Sequence, residues 1–143
     1  MRPEVMRTNS ESQKAFVCDV LDRAFNNGDL GAIDATFSAD ARIHDPGLEL
    51  RGPAELRNGL SALRTVFPDF QFSVEDALVD DDRVAIRYRA TGTHRATFLG
   101  IPPTGRRIEY TGIVILRLAL DKVVEFWAQP DQLGILKQLK GNL

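Results

Sequence analysis

The second half of the chain constrains the fold most. Four runs, Phe70 to Val79, Arg83 to Thr93, Arg107 to Leu118 and Lys122 to Ala128, are rich in Val, Ile, Phe and Tyr and partly alternate with polar residues. Runs of that length and pattern read as β-strands. Asp80-Asp81-Asp82 separates the first two and Leu120-Asp121-Lys122 the last two, so both connections are tight turns. The middle connection is longer and contains GIPPTG, whose prolines fix φ and whose glycines accept angles that other residues resist. The expected product is an antiparallel meander, and such a sheet must cover an apolar face.

The first half supplies the cover. Phe16, Val17, Val20, Leu21, Ala24 and Phe25 recur at helical spacing, with Ser10 as an N-cap and Asn27-Gly28 as the stop. A short second helix carries Leu30, Ile33 and Phe37 on one side. Ala41 to Asp45 reads as a short strand closed by Pro46-Gly47. Gly52-Pro53 opens a third helix with its apolar face at Leu56, Leu60, Leu63 and Phe67, and Pro68 ends it. A last helix runs from about Pro130 to Leu139. Residues 1–9 are polar and read as flexible. The plan is one α+β domain over residues 1–143, with helices laid on one face of a curved antiparallel sheet to form a cone around an apolar pocket. The sheet's other face is still partly apolar, and a homodimer is the simplest way to cover it.

Several functions are disfavoured. The formal net charge is −2 without a basic patch, which gives no reason to expect nucleic acid. No apolar run approaches the roughly 20 residues of a membrane span, and no apolar signal core follows the start, so the protein is expected in the cytoplasm. Two histidines 50 positions apart and one cysteine, without HxH, HExxH or CxxC spacing, argue against a metal site. Cys18 falls in a helical apolar pattern and reads as a buried small hydrophobe.

Few residues remain that carry chemistry. His44, at a strand end, is either a hydrogen-bonded histidine or a proton donor in the pocket. Asp45 beside it reads as the cap of the Asp-Pro-Gly turn. Asp131 opens the last helix just after Phe126 and Trp127. It is either an N-cap or a carboxyl at an apolar mouth, where desolvation suits it to acid/base work. Trp127 is either core or pocket wall. Arg87, Arg89 and Arg117 lie inside strand patterns. Arg117 has a candidate ion-pair partner in Glu125 across the Leu120–Lys122 hairpin. An arginine on the inner face would polarise a carbonyl or hold an enolate. Strict alternation puts His94 on one face with Val84, Ile86 and Tyr88, and Arg87 and Arg89 on the other. It leaves open which face lines the pocket. Phe98, with Leu99 and Ile101, is expected at the pocket mouth or on a dimer partner. Tyr110 is counted with Trp127, Arg117, His94, Arg87 and Phe98 as a substrate-contacting position.

GTHRATFLGIPPTGR, GIVILR, VVEFWAQPDQLGILKQL, HDPGLELRG and FPDFQFSVEDALVDDDRVAIRYRATGTH closely resemble the SnoaL-like polyketide cyclase group, within the nuclear transport factor 2-like superfamily. The resemblance runs from about Phe16 to Leu139. It implies a cone-shaped α+β fold around a hydrophobic pocket, commonly dimeric. It implies ring closure of a polyketide ester by intramolecular aldol condensation, without metal or organic cofactor, with an aspartate as acid/base that maps onto Asp131. His44, Arg117 and His94 are the polar pocket positions carried over. The chain departs from characterised cyclases in the strand GIVILRL, where Arg117 stands as the polar residue in place of a late histidine, and at Ala96, where a glycine is usual. Related isomerase or lyase chemistry on a small hydrophobic carbonyl compound fits the same groups. The alternative is a non-catalytic dimeric binder of small molecules, and a weaker one is a partner-protein module.

Overall fold

The computed structural model describes the chain from residue 3 to residue 141, with side chains described from residue 10 onward. Helix α1 (Pro3–Leu21) runs into one π-helical turn, Asp22–Asn26. Gly28, at φ 65°, then reverses the chain. Helix α2 (Leu30–Thr36) starts where the Asp29 carboxylate accepts the Ala32 N–H at 3.2 Å. Strands β1 (Phe37–Asp45) and β2 (Leu48–Arg51) form a hairpin, and α3 (Gly52–Val66) follows. Strands β3 (Gln71–Asp80), β4 (Arg83–Thr93), β5 (Arg107–Ala119) and β6 (Lys122–Pro130) make the meander, and α4 (Gln132–Lys140) ends the described chain.

The six strands form one curved, unclosed sheet in the order β2-β1-β6-β5-β4-β3. The meander matches its expected boundaries within two residues. The expectation of an all-antiparallel sheet fails at one place: β1 pairs parallel with β6. The long excursion through α3 and β3–β5 lets β1 reach the free edge of β6, and a parallel pair needs such a long crossover. Three local expectations are also corrected. Ser10 lies inside α1 and caps nothing. Phe37 opens β1 rather than closing α2. The strand expected from Ala41 begins four residues earlier, across a register shift between Phe37 and Arg42. Strand β2 went unforeseen, because it is only four residues long, mostly exposed, and lies between the Pro46-Gly47 turn and the Gly52-Pro53 helix start. The flexibility expected of residues 1–9 concerns positions whose side chains lie outside the described residues.

Alternation along β4 decides the two faces. Val84, Ile86, Tyr88 and Ala90 are buried against the helices, while Arg83, Arg87 and Arg89 point away. Their cross-strand partners Leu116, Val114, Gly112 and Tyr110 extend the helix-side face across β5. Phe126 and Ile43 carry it over β6 and β1. Val17, Val20 and Leu21 of α1 and Leu56 and Leu60 of α3 complete the core. Each such aliphatic side chain stabilises by roughly 1.5–3 kcal/mol on burial. Gly92 is required here: a Cβ on it would lie 2.8 Å from Phe67 Cβ, so Phe67 packs directly on bare backbone.

Candidate functional site

Asp45, Tyr88 and Tyr110 lie on the helix-side face, near enough for the Asp45 charge to act on both phenols. Ala41 and Ile43 are buried there, and a strand's period of two carries Asp45 to the same side. Tyr88 sits opposite Gly112, and Tyr110 opposite Ala90. The two rings pack edge to face, with centroids 6.2 Å apart. Phe72 stacks on Tyr88 at 4.4 Å, and Phe25 on Phe72 at 4.9 Å, so the Tyr88 ring is held from behind. Gly112 leaves room for its hydroxyl: a Cβ at that position would lie 2.5 Å from Tyr88 Oη.

The electrostatics of these three groups are unusual for a core. Burial pushes the Asp45 carboxyl above the usual carboxylate range. Burial, then the neighbouring Tyr110, then the Asp45 charge push the Tyr88 phenol upward. Burial and the Asp45 charge do the same to Tyr110. Among the described residues, none of the three side chains has a hydrogen-bond partner. Neither hydroxyl is a sealed, unsatisfied atom; among the described residues only His94 Nε2 is. The three polar groups thus lie on an apolar face without protein partners among the described residues, yet within reach of solvent. Asp45 therefore does not cap the Asp-Pro-Gly turn. The sequence reading missed it and Tyr88. The signal was present in Ala-Arg-Ile-His-Asp, where the alternation set by Ala41 and Ile43 turns Asp45 inward.

His44, one residue earlier, faces the opposite way. Its Nδ1 lies 2.6 Å from Glu49 Oε1 and its Nε2 2.6 Å from Glu125 Oε2. A carboxylate only accepts, so the two contacts favour the charged imidazole, in which both ring nitrogens donate. The Glu125 contact raises the His44 pKa against the opposing effect of burial, with Glu49 adding to it. Glu125 is in turn lowered, first by His44 and then, against burial, by Arg117. Arg117 Nη2 donates to Glu125 Oε1 at 3.2 Å, which is the ion pair expected across the hairpin. Trp127 stacks on His44 with centroids 5.6 Å apart, and the Arg83 guanidinium lies over its ring at 5.5 Å. The structure thus brings His44, Arg117 and Trp127 together, but on the outer face of the sheet. Arg87 lies on that face too, 3.9 Å from Glu75.

The remaining residues lie apart. Asp131 is exposed, and its Oδ1 accepts the Gly134 N–H at 2.9 Å as the N-cap of α4. His94 is fully buried behind the β4–β5 connection. The Thr104 N–H donates to its Nδ1 at 3.1 Å, so the ring proton sits on Nε2. Gly105 N–H and Arg106 O pair with the His94 backbone, each at 2.9 Å, which folds the connection back over the strand end. Phe98 packs edge-on against Phe67 at 5.5 Å. An open, charged cleft of about 560 Å³ lies elsewhere, lined by Arg106, Arg107, Lys137, Gln138 and Gly141, and none of the candidate residues borders it. Among the described residues no cluster of three His, Cys, Asp or Glu side chains is arranged to hold a metal, and no helix is long and apolar enough to cross a membrane.

The fold and sequence have known relatives. The chain is 29% identical over 98 residues to aklanonic acid methyl ester cyclase DnrD of Streptomyces peucetius, a match covering 67% of this chain and 66% of that one. The chain thus spans just under two thirds of that relative's length. Its structure is similar to that of AclR from Streptomyces galilaeus, with a TM-score of 0.81 and 28% identity over 94% of this chain and 99% of the other. It is also similar to that of IdmH from Streptomyces antibioticus, with a TM-score of 0.76 and 32% identity over 89% and 97%. Residues 15–139 match the family described as SnoaL-like polyketide cyclase. Over nearly its whole length, this chain belongs to that family.

Proposed function

We propose that the protein is a cyclase-type acid/base catalyst acting on a small hydrophobic carbonyl compound between the sheet and its helices, without metal or organic cofactor. The observation that carries this reading is the desolvated Asp45 carboxyl, unpartnered among the described residues and facing two phenols on an apolar face. Desolvation brings a carboxyl closer to neutral pH, where it takes and returns a proton efficiently. Asp45 removes a proton next to a carbonyl. The resulting carbon nucleophile attacks a second carbonyl of the same molecule. Apolar walls exclude water and hold the two reacting carbons close. Family membership and the cyclase relative support the ring-closing outcome over simple isomerisation.

Asp131 is the competing position for the base, and the two make opposite predictions. The assay starts from aklanonic acid methyl ester, the compound named in the cyclase relative, and extends to other polyketide esters. Asp45→Asn is expected to lower turnover by about 10²–10⁴-fold, with Asp131→Asn within a few-fold of the parent. The reverse ranking would move the base to Asp131. Tight binding of these esters by the parent protein without conversion would favour the binding-protein alternative. Homodimerisation through the outer face is part of the same proposal, supported by Ile113, 48% exposed there beside Ile115 and Trp127. A sedimentation mass of one chain would refute it.

A further inference from the structure

Building on the assignment of Asp45 as base, we infer that Tyr88 and Tyr110 form a two-donor site for an enolate oxygen, so the protein recognises enolates and their stable mimics, phenolates. Three observations carry this. First, both rings are fixed. Phe72 and Phe25 stack behind Tyr88, and Tyr110 packs edge-on against it. A rotor held in place loses little entropy when its hydroxyl is engaged. Second, the missing Cβ at Gly112 lets Tyr88 Oη sit against the β5 backbone, 2.5 Å from where that Cβ would stand, which fixes the hydroxyl's position. Third, neither hydroxyl has a partner among the described residues and neither is sealed from solvent, so both are open to an incoming acceptor.

The chemistry balances within these three side chains and the substrate. The Asp45 carboxylate takes the proton from the carbon next to the carbonyl. The C–H electron pair becomes a C=C bond, and the carbonyl π pair moves onto oxygen. The two phenols donate to that oxygen as its charge develops. Burial and the Asp45 charge both disfavour phenol ionisation, so the hydroxyls keep their protons across the working pH range. A neutral donor beside a half-buried base is a pairing suited to enolate formation. The proton then returns from Asp45 to the alkoxide formed on ring closure.

The test reads the tyrosines without needing turnover. Asp45→Asn removes the negative charge that opposes an anionic ligand and mimics the base after it has taken its proton. The probe is 4-nitrophenol, whose phenolate absorbs visibly. Asp45→Asn is expected to bind the phenolate about 10-fold to 100-fold more tightly than the double variants carrying Tyr88→Phe or Tyr110→Phe. The phenylalanines keep the rings and the packing. The neutral ether 4-nitroanisole should bind all three proteins alike. Equal phenolate affinity across the three would overturn the inference. So would a parallel loss of ether binding, since the tyrosines would then be shaping the space rather than donating. Failure of the base assignment shows separately, as turnover that survives Asp45→Asn while the phenolate still discriminates among the variants.

Discussion

Glu125→Gln isolates the outer-face network. Glu125 is only 13% exposed and accepts from both His44 and Arg117, whose side chains are 20% and 34% exposed. Glutamine preserves the shape and one acceptor oxygen while removing the charge. A hydrogen bond to a charged group is worth about 1.5–3 kcal/mol, and two are weakened here. Partial exposure and the retained neutral bonds reduce the sum, so a net loss of about 2 kcal/mol is expected. In a chain of this size that lowers Tm by about 4–8 °C. The pH dependence discriminates further. His44 is raised above its ordinary 6.5, so its contribution is complete below 6.5 and is lost as pH climbs through the folded value. Glu125 is lowered below its ordinary 4.5, so its contribution is present above 4.5 and is lost as pH falls through the folded value. The parent and variant should therefore differ most between pH 4.5 and 6.5, and the gap should narrow as pH climbs through the raised His44 pKa. Calorimetry of both proteins across that range checks this. A Tm difference that stays flat, or grows on the alkaline side, would refute the charged clamp.

Other substitutions probe separate parts of the molecule. Gly112→Ala places a methyl 2.5 Å from Tyr88 Oη. It should cost roughly 1–3 kcal/mol from overpacking and displace the hydroxyl, read as a lower Tm together with weaker phenolate binding in the Asp45→Asn background. Asp131→Ala should cost about 1 kcal/mol through loss of the α4 cap, and Asp131→Asn much less, because asparagine caps nearly as well; urea midpoints separate the two. Leu120 is 96% exposed at φ 52° beside Asp121 at φ 63°. Leu120→Asn suits that turn better and should stabilise the fold by about 0.5–1 kcal/mol, read as a higher urea midpoint with an unchanged m-value.

The parts of the fold legible in the sequence are those built from local pattern. Arg83 to Thr93 was bounded correctly because alternation and an Asp-Asp turn both mark it. Helix α3 was legible because Gly52-Pro53 and Pro68 bracket a 3.6-residue apolar period. The parallel pairing of β1 with β6 was not, since its partners lie 80 or more positions apart and nothing local encodes it. The start of β1 was hidden for a related reason. Phe37 continues the apolar side of α2, and only contact with Val123 of β6 draws it into the sheet.

The site shows how much a single residue of register decides. His44 and Asp45 are neighbours in sequence, and a strand sends neighbours to opposite faces. His44 goes outward to two carboxylates that hold it charged, and Asp45 goes inward to two phenols and no hydrogen-bond partner among the described residues. Residue type alone favours the histidine as the chemical group, because its ordinary pKa lies nearest neutrality. Environment reverses that order. A histidine clamped between carboxylates is stabilised as the cation and gives up its proton reluctantly. A desolvated carboxyl is pushed toward the range where proton transfer is useful. The same environmental test separates Asp45 from Asp131. Both are carboxyls beside a strand end, but one oxygen of exposed Asp131 is committed to a helix N-terminus, and half-buried Asp45 has no donor among the described residues. Alternation along β1 therefore separates His44 from Asp45, and that separation was already legible in Ala-Arg-Ile-His-Asp once Ala41 and Ile43 were placed in the core.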